Sequence, residues 1–180
     1  GLEIARQLGV LGHRVFIGSR QLELGVAAAA ALREAGIDAR AVQIDAADSA
    51  SIAAAVRTVA AQVEVLDVLV NNAGIFVEAW GTQPSAVTVQ EMRATFDTNF
   101  FGAFEILREF TPLLARSQAA RVVNISSDMG SLTHINNPES HVYAVVGPAY
   151  QASKIALNAL TALFAKQFKD SPAKVNSASP

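Results

Sequence analysis

Tyr150 and Lys154 stand four positions apart in GPAYQASKIALNAL, the stretch from 147 to 160. On a helix, side chains at that spacing share one face. A phenol beside an ammonium is acid–base chemistry, because the cation favours phenolate over phenol. Moving a tyrosine from its ordinary pKa of ~10 to ~7 needs about 4 kcal/mol of differential interaction. One exposed ion pair supplies about 1 kcal/mol, so Lys154 alone is insufficient. Two surface residues sharing a helical face would give the same spacing, and the pair by itself does not decide.

The elements that would position the pair alternate along the chain. Residues 2–8 read as a helix and 14–19 as a short apolar, β-branched strand. An Ala/Leu helix covers 21–35 and ends at Gly36. A strand at 39–45 leads into a helix from Asp48 or Ser49 to Val63, both good N-cap residues. LDVLVNN (66–72) is a continuous apolar strand followed by a loop. A long helix spans Thr88 to Leu114, with Pro112 marking its last turn or a kink. ARVVNISS (120–127) is a strand, 128–148 a long loop, 149–169 a helix and 173–179 a final strand. Alternating helices and doubly apolar strands predict a parallel sheet covered on both faces, a doubly wound α/β domain. Ligands in such sheets sit at the carboxyl ends of the strands. The polar residues gather there: Ser19–Arg20, Asp45, Asn71–Asn72 and Ser126–Ser127.

Composition narrows the function classes. The 180 residues are 51% hydrophobic and 17% charged, with a formal net charge of −2, which describes one core-rich globular domain. No Lys/Arg stripe suggests a nucleic-acid or membrane surface. No apolar run has spanning length. The absence of cysteine excludes a disulfide scaffold and thiolate metal sites. His13, His134 and His141 lack metal-ligand spacing, and no metal site is expected. No signal peptide is visible, and a cytoplasmic location is expected.

NNAG at 71–74, TNFFG with Asn99, NISS with Ser127 and YQASK with Tyr150 and Lys154 occur in this order on the expected elements. Together they resemble the short-chain dehydrogenase/reductase family over essentially the whole chain. The resemblance implies a Rossmann-type, three-layer doubly wound parallel sheet, with residues 1–180 forming one dinucleotide-binding and catalytic domain. It also gives Gly1 as the last glycine of the family's glycine-rich turn and Pro180 as the proline following its sixth strand. On that reading the chain is a fragment lacking the first strand, most of the glycine-rich motif and the last strand. The family's first strand lies between those at 14–19 and 66–72, so these residues alone are expected to fold poorly and bind cofactor weakly.

The resemblance implies a role for each matched residue. Tyr150 is the general acid or base, helped by Lys154, a partly buried site and the positive nicotinamide ring. Lys154 also hydrogen-bonds the nicotinamide ribose. Ser127 donates to the substrate oxygen, and strand alternation points Ser126 to the other side. Asn99 holds a water that links Lys154 to solvent; a buried amide bonded to backbone is the alternative. Asn72, Ala73 and Gly74 let backbone approach the adenosine ribose, glycine tolerating the conformation needed. Asp45, with Ala46 beside it, meets the adenine ring, unless it is only the charge that a β–α turn favours. Strand 14–19 ends in GSR without an acidic residue for a ribose 2′-hydroxyl. Arg20 suits a 2′-phosphate instead, so NADP(H) is expected rather than NAD(H), a solvated loop arginine being the alternative.

The stretch between Ser127 and Tyr150 is longer than usual for the family. It brings loop residues toward the substrate wall with Phe76 and Trp80, although Trp80 could serve packing alone. Tyr143 is followed four residues later by Gly147, not lysine. The function expected is hydride transfer between NADP(H) and a small carbonyl or alcohol. Homodimers or homotetramers would form through the helices at 88–114 and 149–169. An epimerase or dehydratase on this scaffold, a non-catalytic dinucleotide-binding protein and an inactive fragment of the parent enzyme are the other readings.

Overall fold

The structure, a computed structural model, describes all residues 1–180. The chain divides into two compact units, residues 1–64 and 65–180, each with its own parallel sheet.

In the first unit, α1 (Leu2–Val10) leads to β1 (Val15–Ser19), α2 (Leu22–Glu34), β2 (Ala39–Gln43) and α3 (Ser49–Ala60). β1 and β2 pair in parallel, Val15 opposite Ala39 and Ser19 opposite Gln43. Ala5, Val15, Ala29, Leu32, Ile37 and Ala39 form its core. Alanines on α2 bring that helix close to the sheet, and Ala29 and Ala39 are fully buried. α2 stops as the sequence predicts. Gly36 takes φ +81°, and the Ile37 amide donates to the Leu32 carbonyl, a left-handed cap that glycine adopts without Cβ strain. Asp48 caps α3 by accepting from the Ala50 amide at 2.9 Å.

The second unit runs β3 (Val68–Asn71), α4 (Val89–Phe96), α5 (Ala103–Leu114), β4 (Arg121–Ile125), α6 (Leu132–Asn136), α7 (Pro148–Gln167) and β5 (Lys174–Ala178). Its three strands lie in parallel in the order β3-β4-β5. Leu107, Leu114, Val122 and Leu157 are among its fully buried side chains. Thr88 and Glu91 form a reciprocal capping box at the start of α4.

The α/β class with parallel sheets agrees with the sequence reading, but two elements differ from it. The long helix over 88–114 is interrupted by a π-helical turn, Asp97–Gly102, that separates α4 from α5. Its apolar and polar positions keep a helical rhythm, so periodicity does not reveal the widened turn. Pro112 lies in the last turn of α5. The long loop holds a 3-10 turn at Asp128–Gly130 and the short helix α6, which Ser131 caps by accepting from the His134 amide. No helix is long and apolar enough to cross a membrane.

Candidate active site

In the second unit Asn99 and Lys154 both lie beside Gly74, Tyr150 stands one turn before Lys154 on α7, and Ser127 follows β4. Two devices hold the strands beneath them. A run of polar side chains crosses all three strands and α7: Asn71 Nδ2 donates to Asn124 Oδ1, Asn124 Nδ2 to Thr161 Oγ1, and Ser177 Oγ to the same threonine oxygen. Asn71, Asn124 and Thr161 are buried and mutually bonded, which fixes the register of the strand ends, while Ser177 joins the run from the exposed edge. The second device is Gly130. A Cβ there would fall 2.8 Å from Lys154 Cβ and 2.9 Å from its carbonyl carbon, so the bare glycine lets the 3-10 turn after β4 seat against α7.

Just past the end of β4 the two serines differ: Ser126 is buried with its hydroxyl unpartnered, while Ser127 is part-exposed. Ser127 is among the groups that act on the Tyr150 phenol. Ser127 Oγ also donates to Asp128 Oδ1 at 3.2 Å and accepts from the Met129 amide at 3.2 Å. The Lys154 ammonium is 5.5 Å from the centre of the Tyr150 ring and donates to the Ile125 carbonyl at 2.7 Å. Lys154 is buried, 3% exposed, and burial pulls its pKa down.

The surroundings of Tyr150 act on its phenol: burial pushes it above the usual value of 10.0, the Ser127 hydroxyl pulls it back, and the negative charge of Asp128 raises it further. Asp128, absent from the sequence reading, is held below the usual carboxylate range by His141, whose Nε2 is bonded to Asp128 Oδ2.

Asn99 is buried in the π-helical turn with its amide fully engaged. Oδ1 accepts from the Ile75 amide at 2.8 Å; Nδ2 donates to the Ile75 carbonyl at 2.9 Å and to Ser153 Oγ at 3.0 Å. These are the backbone bonds of the alternative reading, and they fix the loop after β3. Gly74, in that loop, does not have a left-handed φ, so conformational tolerance does not explain it. A Cβ at Gly74 would lie 3.4 Å from Lys154 Nζ and 3.6 Å from Asn99 Oδ1, ordinary contacts, so space does not require glycine there either. The Asn72–Ala73–Gly74 edge is exposed beside the ammonium.

The loop continues into Glu78, which sequence reading missed, and into the expected Phe76 and Trp80. Glu78 is 3% exposed and accepts from the Tyr150 amide at 2.9 Å, its other oxygen unpartnered. The α7 N-cap, Gly147, has no side chain to do this. Phe76 packs on the Tyr150 ring at 5.2 Å and on Trp80 at 5.4 Å, and Trp80 is exposed. A loop carboxylate with no local charge partner is the one sequence feature that could have pointed to Glu78.

The other predicted residues lie in the first unit. Gly1 caps α1, its carbonyl accepting from the Ala5 amide. Arg20 and Asp45 follow the ends of the paired strands β1 and β2. The Arg20 side chain is exposed and makes no ion pair, a donor set suited to an anionic ligand. Asp45 Oδ1 accepts from the Ala47 amide, the local turn bond of its alternative reading, and Ala46 is buried.

A family model described as short chain dehydrogenase matches residues 1–180. A short-chain dehydrogenase/reductase of Aspergillus fumigatus is 41% identical over 149 residues, 80% of this chain and 54% of the relative. The chain spans little more than half the length of such curated relatives. Among solved structures, a metagenomic short-chain oxidoreductase in complex with NADP superposes with a TM-score of 0.83 at 32% identity, over 100% of this chain and 76% of that one. An actinorhodin polyketide ketoreductase with NADPH gives 0.83 at 29% identity, over 99% and 64%.

Proposed function

The chain belongs to the short-chain dehydrogenase family, and from that premise we propose that it interconverts a carbonyl and an alcohol with NADP(H), Tyr150 being the acid–base group. The observation that carries the reading is a half-buried phenol with a buried ammonium 5.5 Å from the centre of its ring. Burial and Asp128 keep the proton on Tyr150, so the residue begins as an acid, the state that carbonyl reduction requires. It gives that proton to the substrate oxygen. Ser127 hydrogen-bonds the same oxygen and stabilises charge developing there. Lys154, anchored on Ile125, holds positive charge beneath the phenolate left behind and offers its remaining protons to a ribose. Asn99 keeps the Gly74 loop in place by clamping Ile75.

Bound NADP(H) supplies the hydride in reduction and accepts it in oxidation. We assign its contacts to Gly1, Arg20, Asp45 and Ala46 in the first unit and to Asn72, Ala73, Gly74, Tyr150 and Lys154 in the second. The NADP and NADPH bound in the two similar solved structures support the choice of cofactor, as does the unpaired Arg20 guanidinium. Phe76 and Trp80 suit a substrate with an apolar surface. Pairing of copies through α4–α5 and α7 belongs to the same proposal, Phe101 in the π-helical turn between α4 and α5 and Leu163 on α7 standing exposed. The test is consumption of NADPH, against NADH, over a panel of ketones and aldehydes. Faster loss with NADPH and an apolar ketone is the expected result; no loss with any carbonyl overturns the reading.

A further inference from the structure

Three aromatic rings follow one another outward from the candidate acid–base group. The Tyr150 and Phe76 ring centres are 5.2 Å apart at an interplanar angle of 38°, and those of Phe76 and Trp80 are 5.4 Å apart at 29°. Both spacings fall in the range where aromatic rings attract one another. Exposure rises along the series: Tyr150 and Phe76 are part-buried, and Trp80 is 70% exposed. A tryptophan kept for packing buries most of its surface, and this one does not.

The backbone nevertheless holds the series in place. Ala79–Thr82 is a tight turn whose Ala79 carbonyl accepts from the Thr82 amide at 3.1 Å and from Thr82 Oγ1 at 2.7 Å. Gly81 takes φ +81° in that turn, a conformation that favours glycine, and its amide donates to the Val146 carbonyl at 3.1 Å. Phe76 is seated from the α7 side. A Cβ at Gly147 would fall 2.8 Å from Phe76 Cε2 and Cζ, so a bare glycine is what admits the ring. Gln151 ties that glycine down, accepting from its amide at 3.1 Å and donating to the Val145 carbonyl at 3.2 Å. Trp80 is therefore an open indole on a fixed turn, two ring contacts from Tyr150.

We infer that Trp80 and Phe76 form an aryl subsite, and that the carbonyl compounds this chain takes carry a fused aromatic ring system. The inference rests on Tyr150 being the acid–base group. A carbonyl oxygen at the Tyr150 hydroxyl fixes one end of the substrate, and its body lies against Phe76 and Trp80. One six-membered ring does not span two ring contacts; a fused system does. Flat rings meet phenyl and indole rings offset or edge to face, whereas a puckered saturated skeleton gains only the burial of its surface. A carbonyl also draws electron density from the ring that bears it, which suits that ring to the negative face of indole. Glu78, between Phe76 and Trp80 in sequence, is 3% exposed and puts no open charge on the strip.

Two readouts test the subsite. Trp80 is the single tryptophan of the chain, so its fluorescence reports ligand without cofactor or turnover. Acetonaphthone quenches it saturably, beyond the quenching of free N-acetyltryptophanamide, and at lower concentration than decahydronaphthyl methyl ketone, its saturated counterpart, perturbs it. Equal response to the two ketones, or quenching no greater than that of the free indole, overturns the subsite. In turnover with NADPH, wild type favours acetonaphthone over the saturated ketone in kcat/KM. Trp80→Leu, an apolar but not flat replacement at an exposed position, cuts that preference roughly 3- to 10-fold, mostly through KM, and Trp80→Phe restores most of it. A preference that Trp80→Leu leaves intact, or that Trp80→Phe does not restore, overturns the inference. A wild-type protein inactive on every carbonyl overturns the proposed function instead, and the fluorescence titration then decides the subsite by itself.

Discussion

Glu78, in the loop after β3, accepts a hydrogen bond from the backbone amide of Tyr150 at 2.9 Å and is almost wholly buried in doing so. The candidate acid–base residue thus lies in the first turn of a helix capped from another part of the chain. A carboxylate at a helix N-terminus meets unpaired amides and the positive end of the helix dipole, which is what makes its burial tolerable.

Removing that cap weakens both fold and catalysis. Glu78→Ala destabilises by about 1–2 kcal/mol, the range for a lost N-cap. At roughly 2–4 °C per kcal/mol for a chain of this size, Tm falls by several degrees. Displacement of Tyr150 lowers kcat more than it raises KM. Glu78→Gln keeps an acceptor oxygen for the amide and shows the smaller effect. Thermal melts and steady-state kinetics on both variants check the order.

Gly130 predicts a defect at a distance from the substrate. Gly130→Ala pushes a methyl group against Lys154 backbone, which cannot move aside as a flexible side-chain tip would. Overpacking of this kind costs about 1–3 kcal/mol, and the shift of Lys154 lowers kcat. Gly12→Ala is the control. Its φ of +91° strains an alanine by roughly 1 kcal/mol, but its Cβ meets open space. Stability then falls with kcat unchanged.

The buried lysine gives a stability signature in pH. Burial lowers the folded pKa of Lys154 below its unfolded value of ~10.4. Below the folded value both states carry the proton and the penalty of the buried charge is complete. Between the two values the unfolded chain binds more protons, so stability rises with pH and the penalty fades. Wild type therefore gains stability relative to Lys154→Met as pH rises from neutral toward ~10. Paired melts across that range measure the difference; a gap that stays constant or moves the other way contradicts the burial.

Arg20 should choose between cofactors. Arg20→Ala removes a charge-assisted contact of about 1.5–3 kcal/mol to a 2′-phosphate, so KM for NADPH rises roughly tenfold or more. KM for NADH stays nearly constant. Kinetics with both cofactors give the ratio.

Much of this was legible because it is local. β-branched runs between alanine-rich periodic segments read as alternating strands and helices, and Gly36 and Asp48 mark helix ends by their own chemistry. Ser127, Tyr150 and Lys154 stand at strand ends and at i,i+4 spacing, but it is the ordered set of motifs resembling the family that singles them out. What stayed hidden depends on distant partners. Glu78 is 72 positions from the amide it caps. Asp128 matters only because His141 and Tyr150 come to it, and Gly130 only because α7 passes so close. The direction of the Tyr150 shift was hidden for the same reason: it depends on how much water the fold removes and where Asp128 points, neither of which spacing records.

The most direct measurement is NADPH oxidation by wild type and Tyr150→Phe on the best carbonyl substrate, with melts of both. Phenylalanine keeps the ring contact with Phe76, so Tm moves by a few degrees at most. Loss of roughly 10²–10⁴-fold in kcat on that intact fold is the predicted result; a Tyr150→Phe protein that turns over like wild type contradicts the account.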